Sequence, residues 1–177
     1  MKVLTIQSGD LEIVNRIFPD NTKCNHINAL PVYQRLFEDY NTNKKTSYKG
    51  FFWAFSDLRT KDLKEAIFRA VEMIGIDISA ESKEQVFILE VPDEICLVSD
   101  FYNFSDEIYA YENPGELDSM WENIYSTRKS EKQVIFPYID ESMILMQVNL
   151  KNFAISFEEA RKNKLTEIQE MLNRMSK

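Results

Sequence analysis

The chain has 177 residues, of which 44% are hydrophobic and 28% charged, a balance that excludes a disordered segment and predicts one domain over 1–177 around one core, burying roughly 70% of the surface its unfolded form would expose. Net charge is -8, from 29 Asp and Glu against 21 Lys and Arg; direct nucleic-acid binding is disfavoured, because it draws on Lys and Arg that displace counterions, whereas a basic protein partner or simple solubility suits the sign. With 4 glycines, a phosphate-cradling glycine loop is not expected.

The opening MKVLTIQ has one cation and too few apolar residues for a signal peptide. No apolar run approaches the roughly 20 residues of a membrane span, so a cytoplasmic protein with no membrane segment is expected. Residues 2–7 read as a first strand. Ser8 is placed to cap a following helix with Leu11, Val14, Ile17 and Phe18 on one face and Pro19 as its stop. Residues 20–29 read as a polar loop. Cys24 and His26 within it are two ligand types with no second pair elsewhere, so no metal site is expected. A second helix begins near Pro31, a residue suited to a first turn because its missing amide proton would have no partner there; Tyr33, Leu36, Phe37 and Tyr40 give it an apolar side up to Asn41.

Residues 49–59, KGFFWAFSDLR, hold four aromatics in five positions. Phe51, Trp53 and Phe55 alternate with Phe52 and Ala54, so both faces of the strand are apolar and both must be covered, which predicts a place in the middle of a sheet. Asp57 and Arg59 then fall just past the strand end, where open sheets present functional groups. Arg59 has the chemistry to hold a carboxylate or phosphate in a two-pronged hydrogen bond, or to pair with Asp57 or another acid nearby.

Leu63, Ala66, Ile67, Ala70, Val71 and Ile74 recur at spacings of three and four, which predicts a helix over 61–74 ended by Gly75 in a left-handed cap. Residues 85–91 read as a strand, Pro92 and Asp93 as a turn, and 95–99 as a second strand or a bent continuation of the first. Cys96 among Ile95, Leu97 and Val98 reads as a small buried residue. Asp100 closes this stretch, either capping the bend or serving as a catalytic acid. Residues 104–112 fit a helix, Asn113-Pro114-Gly115 a turn, and 116–125 an amphipathic helix with Leu117, Met120, Ile124 and a core Trp121. Strands follow at 133–138 and 143–150. Ser156 with Glu159 forms a capping box that opens a helix through Met175, with Leu165, Ile168, Leu172 and Met175 facing inward. Since His26 is the sole histidine, a serine or cysteine triad lacks its base. The order of elements predicts an α+β fold: a single mixed central sheet of five to six strands with flanking helices.

Four segments carry a resemblance: residues 1–7 (MKVLTIQ), 52–55 (FWAF) with 57–59 (DLR) behind them, 89–101 (LEVPDEICLVSDF), and 121–125 (WENIY). In these the chain resembles the bacterial family catalogued as domain of unknown function 3841, which implies a bacterial or phage protein and no established activity. A second resemblance is to the ADP-ribosyltransferase fold, whose sheet splits around a cleft for NAD. It implies a site in which Tyr33 offers a ring to the nicotinamide, Gln7 stands on the first strand in place of His or Arg, and Gln147 stands where a Glu would orient the nucleophile, with Trp53 as a further residue of the site.

Two readings follow. In one, an acidic cytoplasmic protein acts by binding another protein, in a toxin–antitoxin pair or phage–host conflict, with no cofactor; in the other, a divergent ADP-ribosyltransferase-like enzyme uses NAD. The candidate binding residues are Trp53, Asp57, Arg59, Asp100, Tyr33, Gln7 and Gln147.

Overall fold

The computed structural model describes residues 1–19, 30–56, 60–126 and 131–175. Among them run β1 (Lys2–Gln7), β2 (Arg16–Ile17), α1 (Pro31–Lys44), β3 (Phe52–Ser56), α2 (Leu63–Ile74), β4 (Gln85–Glu90), β5 (Leu97–Asp100), α3 (Phe101–Glu112), β6 (Lys132–Phe136), β7 (Ile139–Asp140), β8 (Ile144–Asn149) and α4 (Ala154–Met175). Six strands form one sheet in the order β5-β6-β3-β1-β4-β8, and β2 pairs with β7 in a second, two-stranded one. The α+β class and the strand number match the sequence expectation. Strand direction, expected to be mixed, is antiparallel at every pairing.

The aromatic segment lies where its two apolar faces require. β3 is bonded on one side to β1, with Leu4 opposite Phe55, and on the other to β6, from Phe52 opposite Phe136 to Ser56 opposite Lys132. Phe52 and Ala54 meet Val3, Phe87, Val134 and Phe136 on one face, closed over by Ile139, Met143 and the chain around Leu11 to Ile17. The opposite face carries the helices. Over its β1 and β4 half, Leu4, Phe55, Val86 and Ile88 pack on Ile67, Ala70 and Val71 of α2 and on Phe157 of α4. Over the other half, Trp53 and Ile135 pack on Leu36, Phe37 and Tyr40 of α1 and on Phe104 of α3. Ile67 and Val71 are each fully buried, and burying such a side chain contributes about 1.5–3 kcal/mol.

Local chemistry explains the helix ends. Asp62 caps α2 by accepting from the Glu65 amide at 3.0 Å, and Gly75 closes it with φ 70°, a left-handed conformation that glycine adopts without a Cβ clash. Pro31 opens α1. That helix continues past Asn41 to Lys44, because the Asn41 side chain accepts from the Tyr48 amide at 2.9 Å and donates to the Tyr48 carbonyl at 2.8 Å, fastening the connection to the helix instead of ending it.

Three helix expectations need correction. No helix follows Ser8. Gly9 is pressed so close to the Lys83 carbonyl that an added Cβ would stand 1.7 Å from its oxygen, and the Asn15 carbonyl accepts from Glu141 at 2.7 Å. The segment is therefore pinned in extended form and pairs as β2 with β7, a partner more than a hundred residues on, leaving Val14 and Phe18 exposed. Residues 116–125 form only a short 3-10 turn at Trp121–Asn123, since the buried Glu107 carboxylate accepts from the Met120 amide at 2.6 Å and from the Ser119 hydroxyl, ahead of any helical ladder. α4 starts at Ala154, ahead of Ser156, because the Asn149 side chain already caps the 3-10 turn Leu150–Phe153 that runs into it. Leu165 and Ile168, expected to face inward, are 62% and 45% exposed; nothing among the described residues covers that half of the helix, and the side chains of Leu172 and Met175 lie outside the described residues. Among the described residues, no helix is long and apolar enough to cross a membrane.

Candidate functional site

Of the seven residues singled out by sequence, the structure brings two together. The Tyr33 and Trp53 rings meet edge to face at 5.2 Å, and Phe104 closes a triangle at 5.3 Å and 5.7 Å. Such pairs add about 0.5–1.5 kcal/mol each beyond their area. Burial pushes the Tyr33 phenol above its ordinary pKa, and the negative charge of Glu112 adds to the effect. The cluster ties α1 and α3 to the middle strand.

Gln7 and Gln147 lie on the other face of the sheet, with Thr5 and Phe87, so the sheet separates them from Trp53 and Tyr33. Gln7 donates to the Thr5 hydroxyl at 2.6 Å, which donates to the Trp53 carbonyl at 2.5 Å. Gln147 donates to the side-chain oxygen of Gln85, whose own Nε2 donates to the Gly9 carbonyl at 2.8 Å. Asp100 is 3% exposed. Its carboxylate accepts from the Asn103 amide at 3.0 Å as the N-cap of α3, and its amide donates to the Ile124 carbonyl. A carboxylate satisfied in this way holds a helix start, where the sequence suggested the cap of a bend. Asp57 and Arg59 lie outside the described residues, as do Cys24 and His26.

A second constellation escaped the sequence reading. Arg69 of α2 donates to Glu131, which is 1% exposed just ahead of β6. The partners are 62 residues apart, and no local spacing signals the pair. Arg69 lines a groove of about 670 Å³ between α2, α3 and α4, together with Phe68, Phe101 and Tyr102. Lys164 of α4 crosses its rim to Glu72 at 3.1 Å. Both cations are therefore matched by acids, Arg69 by the buried Glu131 and Lys164 by Glu72. Among the described residues, no group of three His, Cys, Asp or Glu is placed to hold a metal ion.

The remaining feature is apolar. α4 is fastened along its first half by buried Phe157, by Arg161 to Asp77 at 2.9 Å and by Lys164 to Glu72. Beyond that point Leu165, Ile168 and Met171 are 62%, 45% and 59% exposed. Each step of three residues moves about 60° round the helix, so the three form an exposed apolar patch spread over about 120° of its surface.

No family model, curated protein or solved structure matches the chain. What the surface can do therefore rests on its own chemistry. Asp100, which caps α3, and Glu107 within it are buried acids satisfied by amides and a hydroxyl, and Glu131 by a guanidinium. The exposed patch on α4 is by contrast chemically unspent: large, apolar and open to water.

Proposed function

We propose that the protein acts by binding another protein, with the distal half of α4 as its docking surface. One observation carries this reading: Leu165, Ile168 and Met171 stand exposed together on a helix whose preceding turns are anchored to the body. An amphipathic helix laid in an apolar groove is a recurrent mode of recognition, and Leu165 with Ile168, like Ile168 with Met171, has the i, i+3 spacing of its anchors. Transfer of a fully exposed side chain of this kind out of water is worth about 1.5–3 kcal/mol; with the three 62%, 45% and 59% exposed, roughly half of that remains to be gained at each, a part of the about 8 kcal/mol of a micromolar interaction. The net charge of -8 favours a basic partner and speeds its approach. A pairing of the toxin–antitoxin or phage–host kind suits an acidic protein of this sort.

The NAD reading asks for rings and polar groups around one cleft. Tyr33 and Trp53 lie on one face of the sheet and Gln7 and Gln147 on the other, so no observation gathers them about a single cofactor.

The test compares the full chain with a Leu165→Glu/Ile168→Glu variant as bait in lysate of the native host, quantified by mass spectrometry. A partner retained by the wild type and lost by a variant of unchanged helicity supports the reading. Identical captures from both would refute it.

A further inference from the structure

β8 forms one margin of the main sheet: it pairs with β4 on one side, and among the described residues no strand pairs with its other side. An edge strand leaves alternate N–H and C=O groups unpaired, and proteins commonly blunt such edges with Lys, Pro or a bulge. β8 reads ILMQVN and has neither Lys nor Pro. Its register shift falls between the partners Ile88 and Leu89, at one end, leaving Met146 to Asn149 in regular pairing with Ile88 to Gln85. Leu145 and Met146 are 53% and 43% exposed.

We propose that a second copy of the chain occupies this edge, the two β8 strands pairing antiparallel about a two-fold axis at Gln147 and joining the two six-stranded sheets into one. Symmetry limits the register. A two-fold axis normal to the sheet keeps every residue on its own face, so Gln147 meets Gln147 of the second copy, and Met146, on the helix-bearing face with Val148, meets Val148 of the second copy. A strand pairing with itself in this way brings any charge near the axis against its own sign, which is destabilising. β8 carries no charge in a chain that is 28% charged. Gln147 uses one N–H on Gln85, and its amide has a further donor and an acceptor, so at the axis it is its own complement. A basic partner strand, by contrast, would find no acid on this edge to match. A contact confined to one strand edge should fall in the small interface class, below about 1,200 Å², in which association is weak.

The test is molar mass by light scattering or sedimentation at about 100 µM protein, a concentration suited to weak association, for the wild type, Gln147→Lys, Gln147→Glu and an equimolar mixture of the two variants. The wild type should be dimeric, each variant at least tenfold weaker in self-association, and the mixture restored to a dimer, which also shows that both variants fold. A monomeric wild type overturns the proposal, as do variants that dimerise like the wild type or a mixture that stays monomeric. Leu165→Glu/Ile168→Glu should leave the dimer intact, so this proposal and the α4 docking surface stand or fall separately.

Discussion

Replacing Arg69 with Met is expected to destabilise the protein far more than replacing its partner Glu131 with Gln. The asymmetry follows from burial: Glu131 is 1% exposed, whereas Arg69 is 34% exposed. Without Arg69, the carboxylate is left with no counter-charge in a place that water does not reach, and breaking a buried pair in this way costs about 3–5 kcal/mol. Without the Glu131 charge, the guanidinium still reaches water on its open side, and the loss falls to the range of an unmade charged hydrogen bond, about 1–3 kcal/mol. Removing both, as Arg69→Met/Glu131→Leu, should recover much of the first loss, because two apolar groups of similar volume need no solvation. Urea unfolding followed by circular dichroism measures all three. At a slope of about 2 kcal/mol per molar, Arg69→Met should lower the midpoint by roughly 1.5–2.5 M, with the double variant well above it. Equal losses below about 1 kcal/mol from both single variants, the behaviour of a solvent-exposed pair, would refute the burial argument.

Gly9→Ala should lower stability by about 1–3 kcal/mol through overpacking, read as a drop in melting temperature, since its Cβ would sit 1.7 Å from a backbone oxygen that no side-chain rotation can move; an unchanged melting temperature would mean that the 8–10 turn is not held against Lys83. Burial pushes the Cys96 thiol from an ordinary 9.0 up to about 11 and raises the phenols of Tyr40 and Tyr125, the latter also through its hydrogen bond to Asp39. A folded-state pKa above the unfolded one gives stability that is present below the ordinary value and lost as pH rises through the folded value, so urea midpoints should hold to about pH 9 and fall above it. Tyr40→Phe, which removes a 2.8 Å bond to the Ile95 carbonyl, should cost about 1 kcal/mol near neutrality and flatten that alkaline fall. In a Cys24→Ser background, Cys96 should react with a thiol reagent far more slowly in the native protein than in urea, and equal rates would contradict its burial.

The parts of the fold that were legible in the sequence are those whose cause is local. β3 announced itself by two apolar faces, and α2 by a three-and-four spacing ended by a left-handed Gly75. The misreadings arose where a distant partner decides. Leu11, Val14, Ile17 and Phe18 suit a helix as four letters, but Gly9 against Lys83 and Arg16 beside Asp140 hold the chain extended. Trp121 kept its core position while losing its helix to Glu107. Tyr33 and Trp53 were legible as rings, not as neighbours, and the sheet face that separates them from Gln147 depends on strand parity across three pairings. The open patch on α4 has the same sequence pattern as a buried one; only the absence of a covering element among the described residues distinguishes them.

The central claim is that the aromatic strand is interior scaffold and that recognition lies at the periphery. Hydrogen exchange on the full chain, resolved by mass spectrometry of its peptides, tests it most directly. The amides of Phe52–Ser56 should be among the slowest in the molecule, opening only with global unfolding, while those of residues 165–171 exchange much faster. Fast exchange in β3, or protection of 165–171 equal to it in the free protein, would contradict the account.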